Sequence, residues 1–203
     1  MLGAIAEGVT HVTGFLEGDD ALATLTAFRA MGVEIEGPKE GKVTIHGVGM
    51  QGLSAPEKAL DLGNSGTSIR LLSGLLSGQA FDTTLNGDSS LAKRPMSRVI
   101  DPLAKMGAVI GSLEGKLPLQ IQGGNTLYAI AYALPMASAQ VKSCLLFAGM
   151  YAKGKTSIVE PSPTRDHSER MLAGMSYPIE VDGKTVTIEG GGKLLQWNID
   201  VAI

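Results

Sequence analysis

The chain has 203 residues, 44% hydrophobic and 18% charged, a balance that excludes a disordered tail and calls for a folded core. A net charge of −3 excludes the clustered Lys and Arg excess by which nucleic-acid or anionic-membrane binders work, so any anion must be met locally. One cysteine, Cys144, excludes an internal disulfide, and no run approaches the roughly 18 apolar residues of a bilayer span, so a soluble cytoplasmic protein is expected.

Taken in chain order, the elements repeat. Small residues over 2–8 read as a helix closed by Gly8, followed by a β-rich strand over 9–15. A helix over 19–32 ends in Met31-Gly32, and Val33-Glu34-Ile35 with Val43-Thr44-Ile45 then alternate as a hairpin with one buried face. An extended stretch at 60–63 opens a second series, with a helix over 68–78, a strand over 81–86 and a helix over 96–107 stopped at Met106-Gly107. The hairpin Val109-Ile110 with Leu119-Gln120-Ile121 closes it. A third series begins with an extended stretch at 128–135 and a helix over 141–154, whose Cys144 reads as inert core. A strand over 155–159, a helix over 167–176 stopped at Met175-Ser176, and the hairpin Ile179-Glu180-Val181 with Val186-Thr187-Ile188 complete it.

The expected fold is therefore α/β, with three pseudo-symmetric βαβαββ units at about 1–58, 59–125 and 126–203. Unit one has no counterpart of the stretches at 60–63 and 128–135. If Gly8 corresponds to Gly78, positions matching Thr67 to Arg70 would precede Met1. The first unit is thus expected to lack its opening strand, loop and helix cap, and the chain reads as a fragment.

Four loop regions could carry chemistry. Leu62-Gly63-Asn64-Ser65-Gly66-Thr67-Ser68-Ile69-Arg70 leads a strand into a helix start, where exposed N–H groups favour phosphate or carboxylate. Lys93-Arg94-Pro95 and Thr164-Arg165-Asp166-His167 place arginines just ahead of helices, and the arginine fork suits bidentate anion contact. Ser138-Ala139-Gln140 opens the first helix of unit three. Each alone equally fits a capped helix or a solvated surface. Together, at equivalent points of repeated units, they point to a small anionic substrate. His11, His46 and His167 have no metal-ligand spacing, so no metal is expected.

The segment 61–72, Asp-Leu-Gly-Asn-Ser-Gly-Thr-Ser-Ile-Arg-Leu-Leu, is similar to the signature of the EPSP (5-enolpyruvylshikimate-3-phosphate) synthase family. Lys93-Arg94-Pro95-Met96, Ala137-Ser138-Ala139-Gln140 and Thr164-Arg165-Asp166-His167 also resemble that family's bacterial branch. The resemblance runs over the whole chain but about half of a full-length enzyme. It implies one lobe of the enolpyruvyl transferase fold, with helices packed inside sheets. It also implies transfer of the enolpyruvyl group from phosphoenolpyruvate (PEP) to shikimate 3-phosphate, without a cofactor.

By resemblance, Ser138, Ala139, Gln140 and Arg165 would hold shikimate 3-phosphate. Gly66, Arg94 and Gln140 would contact PEP, and Asn64 and Thr67 would shape that loop. Gly66 would leave room for the inhibitor glyphosate. The family's opening Lys-Ser-x-x-x-Arg segment and its second lobe, with the Asp and Glu of proton transfer, have no match here. No catalytic residue is therefore expected in these 203 positions, and the chain alone should bind without turnover. Ser176 departs from the expected stop glycine. The related enolpyruvyl transferase acting on UDP-N-acetylglucosamine shares the fold, but its catalytic cysteine loop has no counterpart at Cys144. A non-catalytic module completed by a separate second lobe is the alternative of a different class.

Overall fold

The computed structural model describes residues 1–201. The chain opens with a single 3-10 turn (Leu2–Ile5), then β1 (Glu7–Thr13), α1 (Asp19–Ala30), β2 (Glu34–Lys39) and β3 (Lys42–Val48). A second series follows: β4 (Leu60–Asp61), α2 (Gly66–Ser77), β5 (Thr83–Asn86), α3 (Ser97–Lys105), β6 (Val109–Leu113) and β7 (Lys116–Gln122). The third is β8 (Ala131–Ala133), α4 (Ala139–Gly149), β9 (Lys155–Val159), α5 (His167–Gly174), β10 (Ile179–Asp182) and β11 (Thr185–Glu189), with β12 (Ile199–Asp200) after it.

The ends of α1, α3 and α5 are built alike. Gly32, Gly107 and Ser176 all take left-handed φ, at 87°, 98° and 61°. The next residue then donates its N–H back into the helix: Val33 to Phe28 O at 3.1 Å, Ala108 to Leu103 O at 3.0 Å, Tyr177 to Leu172 O at 2.9 Å. The carbonyls of Met31, Met106 and Met175 accept from the N–H groups of Ser54, Tyr128 and Leu195. Ser176 thus performs the glycine's turn, at the cost of holding a Cβ in a disfavoured region.

Each turn feeds an antiparallel hairpin, with Ile35 opposite Ile45, Ile110 opposite Ile121 and Val181 opposite Val186. In β7 the alternation is complete: Leu117, Leu119 and Ile121 are buried and their neighbours exposed. The three sheets have one order, β12-β1-β3-β2, β4-β5-β7-β6 and β8-β9-β11-β10. Near the chain's start, two features differ from the sequence reading. The stretch 2–8 holds only the four-residue 3-10 turn Leu2–Ile5, because Glu7 and Gly8 already belong to β1, with Gly8, at φ 96°, opposite Gly47. A Cβ there would stand 2.1 Å from Gln196 Oε1, so this glycine admits a close approach and closes no helix. The place beside β1 that β4 and β8 hold in the other sheets is taken by β12, with Val12 paired to Ile199 in parallel. Ala202 and Ile203, the last of the expected third unit, lie outside the described residues.

Helices α2 and α4 lie at the centre. Ile69, Leu72, Leu75 and Leu76 on one, and Cys144, Leu145, Leu146 and Ala148 on the other, are fully buried. Helices apolar on every side must be enclosed, and each such side chain contributes roughly 1.5–3 kcal/mol on burial. Their backbones meet at Gly74, where a Cβ would stand 2.0 Å from Cys144 O. α4 ends at Gly149, short of the expected 154, and Gly154 at φ 101° turns the chain into β9.

Candidate functional site

Because α2 and α4 run side by side, their starts are neighbours. Ser65 Oγ accepts from Ser68 N–H at 3.2 Å, and Ser138 Oγ accepts from Val141 N–H at 3.3 Å. A serine cap satisfies one of the first-turn N–H groups, and the others stay available to a ligand with the positive end of the helix dipole behind them. Gln140 bridges the two starts. Its Oε1 accepts from Arg70 Nη1 at 2.7 Å, and its Nε2 donates to Thr67 Oγ1 at 2.9 Å. Arg70 also donates to Gly66 O at 3.2 Å.

Arg94 joins from the segment before α3, donating to Asn64 Oδ1. Asn64 in turn donates to Asp88 Oδ2 at 2.8 Å, and Asp88 Oδ1 accepts from the N–H groups of Leu91 and Ser90. The Leu91 amide and the Asn64 amide hold the Asp88 carboxyl below its usual range. A Cβ on Gly66 would stand 2.9 Å from Arg94 Nη1 and 3.0 Å from Arg70 Nη1, so glycine lets both guanidinium groups close over the loop. Burial, then the charges of Arg94 and Arg98, pull the Arg70 guanidinium below its usual range. Among the described residues no ion pair involves Arg70, Arg94, Arg98 or Arg165. Arginines outside any direct ion pair, with only Asp88 behind Asn64 to offset Arg94, form a site that a polyanion would relieve.

Beside this cluster opens a cleft of about 640 Å³, with Thr67, Ser138, Ala139, Gln140, Ser143, Thr164, Arg165 and His167 in its wall. The expected residues are thus brought together: Ser138, Ala139, Gln140, Arg165 and Thr67 line the cleft, and Asn64, Gly66 and Arg94 form its adjoining edge. The sequence reading quoted Arg70 but gave it no role, although its place one helical turn after Gly66 puts both on one face of α2. It likewise quoted Thr164 without a role and passed over Ser143, and nothing in the sequence marks Lys142 as buried. Among the described residues, Glu34, Glu36 and His46 bring three ligand-type atoms within 4.8 Å of one another on the first sheet, but none lines the cleft. Cys144 is fully buried and burial pushes its thiol up, so it offers no nucleophile. No helix of the described residues is long and apolar enough to cross a membrane.

Fold and site together define an α/β lobe with paired helix starts and arginines outside any direct ion pair beside one cleft, a form suited to a small polyanion. The model of one family matches residues 1–202, and the chain belongs to it: EPSP synthase (3-phosphoshikimate 1-carboxyvinyltransferase). It is 65% identical over 202 residues to the 3-phosphoshikimate 1-carboxyvinyltransferase of Methylococcus capsulatus, covering 99% of this chain and 46% of that protein. The enzyme of the same name from Alkalilimnicola ehrlichii is 64% identical over 202 residues. The solved EPSP synthase of Acinetobacter baumannii superposes with a TM-score of 0.97 at 62% identity, over 99% of this chain and 46% of that one. The chain spans about half the length of the curated relatives it matches.

Proposed function

We propose that this chain is the shikimate 3-phosphate-binding lobe of an EPSP synthase and contributes part of the PEP site. The observation that carries the reading is Arg165 in the wall of a cleft fed by two helix starts, with Arg70 and Arg94 on the adjoining loop. Its volume falls in the range of small-molecule sites, about 300–1,000 Å³. Ser138, Ala139, Gln140 and Arg165 hold shikimate 3-phosphate. Gly66, Arg94 and Gln140 meet PEP or glyphosate on the α2 side, while Asn64 and Thr67 hold the loop. The repeats 1–58, 59–125 and 126–203 build the lobe, and the second and third of them line the cleft.

In the complete enzyme the enolpyruvyl group moves to the sugar-acid hydroxyl and phosphate leaves. Preorganised guanidinium and N–H groups hold both anions in register and steady the charge that develops. Proton transfer falls to a second lobe that closes over this one, so the chain alone binds and does not turn over. The setting is the cytoplasm, in accord with a single buried, unpaired cysteine. Titrating the chain with shikimate 3-phosphate under NMR should shift residues 138–140 and 165, and a flat response at millimolar ligand would remove the assignment. Phosphate release from PEP by the purified chain, dependent on shikimate 3-phosphate, would overturn the division of labour.

A further inference from the structure

Beneath the cleft lies a charge cluster that the reading above does not use. Lys142, in the first turn of α4, is 1% exposed, with Nζ 2.9 Å from Glu160 Oε2 and 2.5 Å from Glu169 Oε1. Burial alone would drive this ammonium toward neutrality, but the two carboxylates outweigh it and hold Lys142 above its usual range. Glu160 follows β9, and its other oxygen accepts the Thr164 hydroxyl. Glu169 lies in the first turn of α5, where Ser168 Oγ donates to Ser143 Oγ on α4 at 2.7 Å. One ammonium therefore ties α4, the end of β9, the 161–166 loop and the start of α5.

Stability does not require this arrangement. Desolvating three ionised groups is costly, and an apolar cluster of similar volume often holds a core as well or better. Glu169 Oε2 is buried without a partner, a further cost. What ions and hydrogen bonds supply beyond packing is direction. The forked Glu160 carboxylate fixes Lys142 with one oxygen and Thr164 with the other, and Thr164 is the residue before Arg165.

We propose that Lys142 is a positioning residue: through Glu160 and Thr164 it sets where Arg165 stands on the cleft rim, and so the affinity for the phosphate of shikimate 3-phosphate. The affinity part rests on the role given to Arg165 above; the placement of the loop does not.

The test uses the whole chain with Lys142→Met and, separately, Thr164→Val. The second removes one hydroxyl and leaves the ion cluster in place, so it serves even if the first fails to fold. Without ligand, ¹⁵N relaxation should show the amides of Ser162 and 164–167 as ordered as α4 in the parent and loosened in each folded variant. With shikimate 3-phosphate, each folded variant should weaken binding about tenfold, and Arg165→Ala should cost about tenfold less in the variant than in the parent, as coupled residues do. A role confined to stability would leave the two losses independent. Independent losses with an unaltered loop overturn the proposal. If the parent chain does not bind shikimate 3-phosphate, the functional assignment fails, and relaxation alone decides the positioning role: an unaltered loop refutes it, a loosened one supports it.

Discussion

Gly74→Ala adds one methyl group at the point where α2 and α4 cross. The new Cβ would stand 2.0 Å from Cys144 O and 2.8 Å from Cys144 C, both main-chain atoms that no rotamer change can move. Reaching even a tight contact demands about 1 Å of added separation between two helices enclosed on every side. Overpacking of this kind costs about 1–3 kcal/mol or more, and a backbone clash belongs at the upper end. Replacing a mid-helix glycine by alanine returns about 1 kcal/mol. The net expectation is a loss of about 2 kcal/mol, or a Tm lower by about 4–8 °C for a domain of this size. The same displacement reaches the cleft, because the Arg70–Gln140 and Gln140–Thr67 bonds span these helices one and two turns from Gly74. Shikimate 3-phosphate binding should weaken although Gly74 does not line the cleft. Thermal melts by circular dichroism, followed by titration, check both effects. A variant as stable as the parent would refute the crossing geometry.

Other outcomes follow from single positions. Ser176→Gly relieves a left-handed serine at φ 61°, and should stabilise the fold by about 0.5–1 kcal/mol in denaturant melts; a destabilised variant would contradict the shared helix stop. Gly66→Ala meets only the tips of Arg94 and Arg70, so stability should stay within about 0.5 kcal/mol of the parent. In the complete enzyme the same change should cut glyphosate inhibition more than substrate use, and an unchanged inhibition constant would count against this loop as the PEP site. Asp88 has a lowered folded pKa, so the stability it lends is present above its ordinary 3.8 and is lost as pH falls through the lower folded value. The Ser90 and Leu91 amides should report that titration by NMR; a midpoint at or above 3.8 would refute it.

The sequence disclosed most where one residue type has one physical use. Val, Ile and Leu at every second position read as strands, and the hairpins at Ile35, Ile110 and Val181 pair as read, but β6 and β10 bury no residue, with Val109 48% and Val181 61% exposed. Met-Gly at two helix ends gave the repeat, and Ser176 showed that backbone hydrogen bonds can force the same turn on a residue that resists it. Gly8 misled because a helix stop and a close approach both ask for glycine, and only the distant Gln196 tells them apart. Ile199–Asp200 carries too short a pattern to declare a strand, since its identity comes from the neighbour it joins. Lys142 was hidden for a similar reason: its partners lie 18 and 27 positions away, so its burial depends on tertiary packing alone.

The repeated architecture also accounts for the asymmetry of the site. All three units send a loop from the strand at the sheet's middle into a second helix, at 14–18, 87–96 and 160–166. The second and third loops carry Arg94 and Arg165, but the first offers Glu17 and the exposed Leu16, and no guanidinium. The capped first helices of the second and third units likewise meet at Gln140, whereas the first unit shows only a 3-10 turn. Threefold packing therefore supplies the scaffold, while among the described residues only the second and third units line the cleft. An arginine placed at Leu16 by Leu16→Arg would test this division. If the first loop stands outside the site, shikimate 3-phosphate affinity should hold within about twofold, the small change expected of a screened surface charge. A marked gain in affinity would show that the first unit also faces the ligand.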